Sequence, residues 1–136
     1  MTLKLNYIGI VVADIARTLA FYRTLGLPIP ADADPAQDHV EIEVGGLRIA
    51  WESETLMRQL HEGWTPPTRA GRIGVAVQAE SPAGLDAAIE RLRTAGYHVP
   101  EPYDAPWGQR YTTVTDPDGT DVDVFAWLPG QGGQAH

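Results

Sequence analysis

The sequence predicts an α+β fold in which two tandem βαβββ modules form a mixed sheet shaped like a cup. Three observations lead to this prediction: a short segment occurs twice, each copy closes an amphipathic helix, and the surrounding segments alternate apolar and polar residues as strands do. The segment RTLGLPIP at 23–30 recurs as RTAGYHVP at 93–100. An Ile-Gly pair precedes each copy, at 8–9 and at 73–74. The chain therefore contains two similar modules.

The first module begins with a strand at 5–12. Asp14 is a suitable N-cap for a helix whose Ile15, Leu19 and Tyr22 share one face, and Gly26 ends this helix. Three further strands are predicted, at 27–30, 39–44 and 47–51. A short helix over 52–61 and a Pro-rich linker at 63–67 follow.

The second module repeats this order, with its first strand at 72–78. Ser81 is the predicted N-cap, Pro82 takes the first helical position, and Gly96 ends the helix. The three later strands are predicted at 97–100, 110–115 and 120–125, with a DPDG hairpin turn at 116–119. These elements give a single domain at 1–128, with module 1 at about 4–52, a linker at 53–70, module 2 at about 71–127, and a disordered tail at 129–136.

Alternation along the strands separates an apolar face from a small and polar one. The apolar set, expected under the helices, contains Ile8, Ile10, Val12, Ile73, Val75, Val77, Val122 and Val124. The other set, expected to form the floor of a solvated cavity, contains Tyr7, Gly9, Arg72, Gly74, Ala76, Asp121 and Asp123.

Composition narrows the classes of partner. The formal net charge is −8 and no Lys/Arg stripe occurs, so nucleic acid is not an expected partner. The absence of cysteine excludes thiol nucleophiles and disulfides. No apolar run is long enough to span a membrane and the first residues do not resemble a secretion signal, so we expect a cytoplasmic protein without a membrane partner.

The segment LAFYRTLG at 19–26 and the DPDG turn, set in a repeated βαβββ order, resemble the vicinal-oxygen-chelate superfamily of glyoxalases, bleomycin-resistance proteins and dioxygenases. The resemblance covers residues 4–128. Three stretches, at 27–34, 46–52 and 104–111, are similar to the mitomycin-binding antibiotic-resistance proteins of that superfamily. This resemblance implies a homodimer that sequesters a planar aromatic drug of quinone-like, mitomycin, bleomycin or anthraquinone type without modifying it.

The enzymes of this superfamily hold a divalent metal with His or Gln on each first strand and Glu on each last strand. By the resemblance, these four positions are Tyr7, Ala50, Arg72 and Asp123. Alanine has no donor atom, arginine has no lone pair to give, and a neutral tyrosine is a poor ligand. We therefore expect no metal, no cofactor and no catalytic residue, and we hypothesise an Arg72–Asp123 ion pair where the metal would lie.

The candidate ligand-binding residues are aromatic or charged. They are Trp107, Tyr111, Tyr7, Glu52, Arg110, Trp64, Trp51, Arg72 and Asp123. The WGQRY segment at 107–111 resembles the motif with which antibiotic-binding relatives stack on a flat ligand, so Trp107 is the main candidate.

Other members of this set have competing interpretations. Trp51 alternates in phase with Leu47 and Ile49, which favours the core. Trp64 is either a lid or an anchor of its loop, and Arg110 binds a carboxylate, a partner subunit or the ligand. The four histidines show no ligand spacing.

Two enzymatic alternatives remain open. One is a lyase or dioxygenase of the same superfamily that uses an atypical metal site. The other is a metal-free enzyme acting on a polyketide, with Tyr7 or Asp123 as the proton donor.

Overall fold

The computed structural model describes residues 4–67 and 73–131, which contain three helices and seven strands. In chain order these are β1 (Tyr7–Val12), α1 (Ile15–Leu25), β2 (His39–Val44), β3 (Leu47–Ser53), α2 (Glu54–Leu60), β4 (Val75–Gln78), α3 (Pro82–Thr94), β5 (Tyr103–Asp104), β6 (Gln109–Thr115) and β7 (Asp121–Trp127). The α+β class is confirmed.

The chain divides into two compact units, one built on β1 to α2 and the other on β4 to β7. The described strands form two mixed sheets, one in each unit, where the sequence predicted a single sheet. The strand order is β1-β3-β2 in the first sheet and β4-β7-β6-β5 in the second. In both, the first strand lies parallel to the last strand of its unit, which pairs antiparallel with the strand before it.

The duplicated segments end α1 and α3 in the same way. Gly26 and Gly96 both have positive φ angles, of 118° and 95°. The amide of Leu27 donates to the carbonyl of Tyr22, and that of Tyr97 to the carbonyl of Leu92, both at 3.0 Å. These are the long hydrogen bonds of a Schellman turn, so the sequence repeat is also a repeat of backbone geometry.

The strands predicted at 27–30 and 97–100 do not form. Proline at 28, 30 and 100 has no N–H to give to a sheet. Carbonyl groups of these segments instead accept hydrogen bonds from arginine: Arg23 reaches the carbonyl of Pro30 at 2.7 Å, and Arg93 reaches that of Val99 at 3.0 Å. The first of the three strands that follow α3 is β5, which the sequence did not predict.

The remaining boundaries move by a few residues. The helix predicted at 52–61 is α2, which begins after Ser53 because the Ser53 hydroxyl accepts from the amide of Leu56. Ser81 caps α3 as predicted, through the amide of Gly84 at 3.0 Å. The tail predicted at 129–136 begins as a turn through residue 131, and its residues 132–136 lie outside the described ranges.

Each unit has its own core. In the first, Leu19, Phe21 and Tyr22 of α1 are buried together with Trp51 of β3. In the second, the buried residues are Leu85, Ile89 and Leu92 of α3 and Val114, Val122 and Val124 of the sheet. The predicted apolar face is thus confirmed at Val12, Val122 and Val124, but Ile8 and Ile73 are exposed because β1 is an edge strand and Ile73 precedes β4.

The positive φ of Gly96 gives the first prediction. A Cβ at this position would meet no atom within 4 Å, so substitution costs only backbone strain. We expect Gly96→Ala to lower the free energy of unfolding by about 1–2 kcal/mol. Gly96→Asn is the matched variant, because asparagine tolerates positive φ, and it should cost less. Urea unfolding followed by circular dichroism measures both, and an equal loss in the two variants would contradict this account.

Candidate functional site

One face of the first sheet carries a group of polar side chains. Because β3 is central and pairs Tyr7 with Arg48 and His39 with Glu52, alternate residues of three strands project together. We call Tyr7, His39, Glu41, Arg48 and Glu52 the polar cluster. The intervening residues of β2 and β3 point the other way, into the core.

The members of the polar cluster are connected around the phenol of Tyr7. The Tyr7 hydroxyl donates to Oε1 of Glu52 at 2.6 Å. Nε2 of His39 lies 3.2 Å from Oε1 of Glu41, and Nδ1 lies 3.9 Å from Oε2 of Glu52. Arg48 contacts Glu41 at 3.6 Å, and its guanidinium carbon lies 4.9 Å from the centre of the Tyr7 ring. The His39 ring is nearly parallel to that of Tyr7.

The environment raises the pKa of Tyr7 to about 12, from an ordinary value of 10.0. Burial is the largest cause, followed by the hydrogen bond to Glu52 and by the negative charges of Glu52 and Glu41, with Arg48 opposing them. Tyr7 therefore remains a protonated hydrogen-bond donor near neutral pH.

Gly9 leaves the space in which the Tyr7–Glu52 hydrogen bond forms. A Cβ at Gly9 would collide with Oε1 of Glu52 and would approach the Tyr7 ring to 3.3 Å. Gly74 is its counterpart in the repeat, and a Cβ there would meet nothing within 4 Å. The two Ile-Gly pairs thus differ in function, since only the first makes room for a side-chain contact.

One face of the second sheet carries three aromatic rings, Tyr103, Trp107 and Tyr111, which we call the aromatic platform. The Trp107 ring lies edge-to-face with both tyrosines, with centroid distances of 5.5 Å to Tyr111 and 6.4 Å to Tyr103. The two tyrosines pair across β5 and β6 and are themselves 6.0 Å apart. Such geometry is favourable for aromatic pairs and holds the three rings in fixed orientations.

Trp107 is held in place although its side chain is exposed. Its indole N–H donates to Oε1 of Gln109 at 2.8 Å, and 54% of the residue's surface remains accessible. A tight turn presents it, in which the amide of Gly108 donates to the carbonyl of Ala105 and Gly108 has a φ of 95°. An exposed indole with one fixed orientation is a ready surface for a flat ring.

The polar end of Tyr111 joins the platform to Asp123. The Thr113 hydroxyl lies 3.2 Å from the Tyr111 hydroxyl and 2.9 Å from Oδ1 of Asp123. The contact with Thr113 lowers the pKa of Tyr111, but burial and the Asp123 carboxylate outweigh it, so that this pKa is raised overall. Tyr111 therefore stays protonated beside a carboxylate.

The other described candidates, Trp51, Trp64 and Arg110, belong to neither group. Trp51 is 1% exposed and packs on Tyr22 at 5.2 Å, which confirms the core interpretation. Trp64 lies 5.6 Å from the guanidinium carbon of Arg58, as an anchor of its loop would. Arg110 lies on the opposite side of its strand from Tyr111 and pairs with carboxylates, Asp86 at 2.9 Å and Asp104 at 3.1 Å. Arg72, and with it the hypothesised Arg72–Asp123 ion pair, lies outside the described residues.

Sequence reasoning missed five contributors: Tyr103, Gln109, His39, Glu41 and Arg48. Tyr103 and Gln109 depend on the pairing of β5 with β6, and β5 is too short to give an alternating pattern. His39 and Glu41 had a usable signal, because the strand HVEIEV at 39–44 alternates polar and apolar residues. Arg48 had a similar signal, because it lies between Leu47 and Ile49 in β3.

The profile of the Glyoxalase/Bleomycin resistance protein/Dioxygenase superfamily matches residues 4–124. The chain belongs to this superfamily. Its fold is similar to that of a glyoxalase/bleomycin resistance protein/dioxygenase from Nocardioides, at 28% identity over 100% of this chain and 91% of the other, with a TM-score of 0.68. A glyoxalase-related enzyme from Fulvimarina pelagi matches at 18% identity over 99% of both chains, with a TM-score of 0.73.

Lactoylglutathione lyase from Agrobacterium tumefaciens matches at 18% identity over 90% of this chain and 92% of its own, with a TM-score of 0.64. No curated protein sequence matches the chain. None of the helices in the described residues is long and apolar enough to cross a membrane. The superfamily includes enzymes and binding proteins, so activity has to be argued from the site.

The residues at the superfamily's metal positions do not fit a divalent ion. Ala50 has no donor atom, and the phenol of Tyr7 is a neutral group that donates its hydrogen to Glu52, which makes it a poor ligand. Asp123, the third described position, is a possible ligand whose Oδ1 already accepts from Thr113. Across residues 4–67 and 73–131, no group of three or more His, Asp or Glu is placed to hold a metal.

The steric role of Gly9 predicts a change in the pKa of Tyr7. Gly9→Ala should displace the Glu52 carboxylate and lower the pKa of Tyr7 from about 12 towards 10.0, whereas Gly74→Ala should leave it unchanged. Phenolate absorbance during alkaline titration measures this, and the difference from Tyr7→Phe isolates Tyr7 from the other four tyrosines. An unchanged pKa in Gly9→Ala would contradict the role given to Gly9.

The raised pKa of Tyr7 also determines how this residue's contribution to the free energy of unfolding changes with pH. Between pH 10 and pH 12 the unfolded chain loses the Tyr7 proton while the folded chain retains it. The contribution of Tyr7 to the free energy of unfolding is therefore fully present below about pH 10 and is lost as the pH rises through about 12. Tyr7→Phe should remove this part of the pH dependence.

Proposed function

We propose that this protein binds and sequesters a planar aromatic small molecule, such as a quinone-like antibiotic, without transforming it. The aromatic platform is the observation that carries the proposal. Its central ring, Trp107, is more than half exposed and is held by Gln109 and by two tyrosines. Rings that are already ordered lose little conformational entropy when a ligand stacks on them, which favours affinity.

The similarity of residues 27–34, 46–52 and 104–111 to mitomycin-binding resistance proteins supports the same ligand class. The last of these stretches contains Trp107 and Tyr111, and β5 places Tyr103 next to it. Tyr111 also offers its hydroxyl, so that a quinone or phenol oxygen on the ligand would find a hydrogen-bonding partner at the edge of the platform.

The proposal of binding without reaction rests on the chemistry of the polar groups. Tyr7 has a pKa near 12 and is a weaker acid than a free tyrosine, and the pKa of Tyr111 is also raised. A proton donor works best when its pKa is close to the working pH, so neither phenol is suited to general acid catalysis near neutrality.

Ligand binding provides the test. We expect sub-micromolar affinity, equivalent to about −8 kcal/mol or better, for at least one member of a panel of mitomycin, bleomycin and anthraquinone compounds. Trp107→Ala should weaken binding at least about tenfold, because it removes the central ring of the platform. Trp107→Phe is the matched variant that keeps a flat ring and should retain most of the affinity. Equilibrium dialysis measures all three proteins without relying on tryptophan fluorescence.

The fate of the ligand separates binding from catalysis. After prolonged incubation with the protein, with and without added divalent metals, mass spectrometry should recover the compound unchanged. A chemically altered product would refute sequestration, and equal affinities of Trp107→Ala and wild type would remove the aromatic platform from the proposal.

We further propose that the protein is a homodimer with two equivalent clefts, as the resemblance implies. Two copies per particle are expected in solution, and light scattering coupled to size exclusion measures this. A monomer at micromolar concentration would contradict it.

A further inference from the structure

Glu52 is a largely enclosed carboxylate without a permanent cation beside it. Its side chain is 13% exposed, and its one hydrogen bond comes from Tyr7 to Oε1. Within the described residues no lysine or arginine pairs with it, since Arg48 contacts Glu41 instead. Removing an ionised carboxylate from water is costly unless a positive group or several hydrogen bonds compensate. Among the described residues Oε2 of Glu52 has no hydrogen-bond donor, and it is not among the fully buried atoms, so a solute can still reach it.

His39 places a second acceptor opposite that oxygen. Nε2 of His39 lies 3.2 Å from Oε1 of Glu41, and a carboxylate can only accept, so Nε2 carries the hydrogen. In the neutral ring, Nδ1 is then a lone-pair acceptor. It lies 3.9 Å from Oε2 of Glu52, which is too far for a direct hydrogen bond. Two acceptors thus border one gap.

We propose that this gap binds the primary ammonium group of a small molecule, between Oε2 of Glu52 and Nδ1 of His39. A nitrogen about 2.8 Å from each acceptor would direct one N–H to each of them at roughly a right angle. Its positive charge would compensate Glu52. A bridging water could donate the same two hydrogen bonds but would leave the charge uncompensated, so the water-only case is an outcome that the test has to separate.

The neighbouring residues leave Oε2 of Glu52 available to a ligand. Tyr7 occupies Oε1 of Glu52, which leaves Oε2 for the ligand, and Gly9 provides the room for this arrangement. Arg48 contacts Glu41 at 3.6 Å and makes no ion pair with Glu52, so it does not compete with an ammonium for that carboxylate. Tyr7 and Gly9 are positioning residues. The ammonium site does not depend on the aromatic platform.

Three small probes at pH 8 and equal ionic strength test the proposal: 2-phenylethylammonium chloride, its N,N,N-trimethyl analogue and sodium chloride. The analogue keeps the charge and the ring but has no N–H. The backbone amides of Gly9 and Ala50, which pair across β1 and β3 next to Glu52, report binding by NMR. We expect the primary ammonium to bind at least about tenfold more tightly than the analogue.

Variants test whether the preference for the primary ammonium over its trimethyl analogue depends on Glu52 and His39. Glu52→Gln keeps the shape of the side chain and should abolish the preference for the primary ammonium. His39→Phe keeps a ring beside Tyr7, removes Nδ1 and should reduce the preference several-fold. Glu43→Gln is the matched control, because Glu43 projects from the same face of β2 and is exposed, and this variant should retain the wild-type preference.

The wild-type comparison decides the proposal even if a variant fails to fold. Equal binding of the two organic cations, or no shift beyond that of sodium chloride, would overturn it and leave a water in the gap. A preference that persists in a folded Glu52→Gln variant would overturn it as well. None of these results depends on whether an aromatic drug binds to Trp107, so failure of the ammonium site and failure of sequestration are distinguishable.

Discussion

The two-residue period of the strands is the constraint on which the polar cluster and the two tyrosines of the aromatic platform depend. In β3, Trp51 points into the core while Glu52 points to the polar cluster, and in β7, Val122 and Val124 are buried while Asp123 is not. A shift of register by one residue would exchange these roles completely. Packing of the core therefore fixes which side chains project from the opposite face of each sheet.

The repeat explains why two units of the same topology can carry different chemistry. Equivalent backbone features are kept, including the helix-ending turns at Gly26 and Gly96 and the arginines that bind the segments after them. The side chains on the open faces are not constrained by this framework. One unit presents charged and hydrogen-bonding groups, and the other presents aromatic rings that pack edge-to-face. Duplication of a stable scaffold permits such divergence because the core and the face use alternate positions of the same strands.

The sequence allowed prediction of the features that depend on local signals. Ser81 as a cap and the strand at 39–44 follow from short-range chemistry, and both are present as predicted. The strand predicted at 97–100 was wrong. The alternation of apolar residues in the sequence cannot show that the Arg93 guanidinium donates a hydrogen bond to the carbonyl of Val99 in this segment. The site was predictable at Trp107 and Tyr7 as residue types. Glu52 was also a candidate, but its hydrogen bond with Tyr7 was not predictable, because the pairing of β1 with β3 brings two distant parts of the chain together. Tyr103 was missed because β5 is only two residues long.

Gly9 and Gly74 occupy equivalent positions in the repeat but have different surroundings. At Gly74 the missing side chain leaves open space, as expected for the floor of a cavity. At Gly9 the space is filled by the carboxylate of Glu52, which accepts a hydrogen bond from the Tyr7 hydroxyl. A small residue in a strand thus indicates either open space or a close contact from a neighbouring strand, and the partner strand decides between them. Here the partner is β3, and the contact that it supplies is the hydrogen bond from the Tyr7 hydroxyl to Glu52.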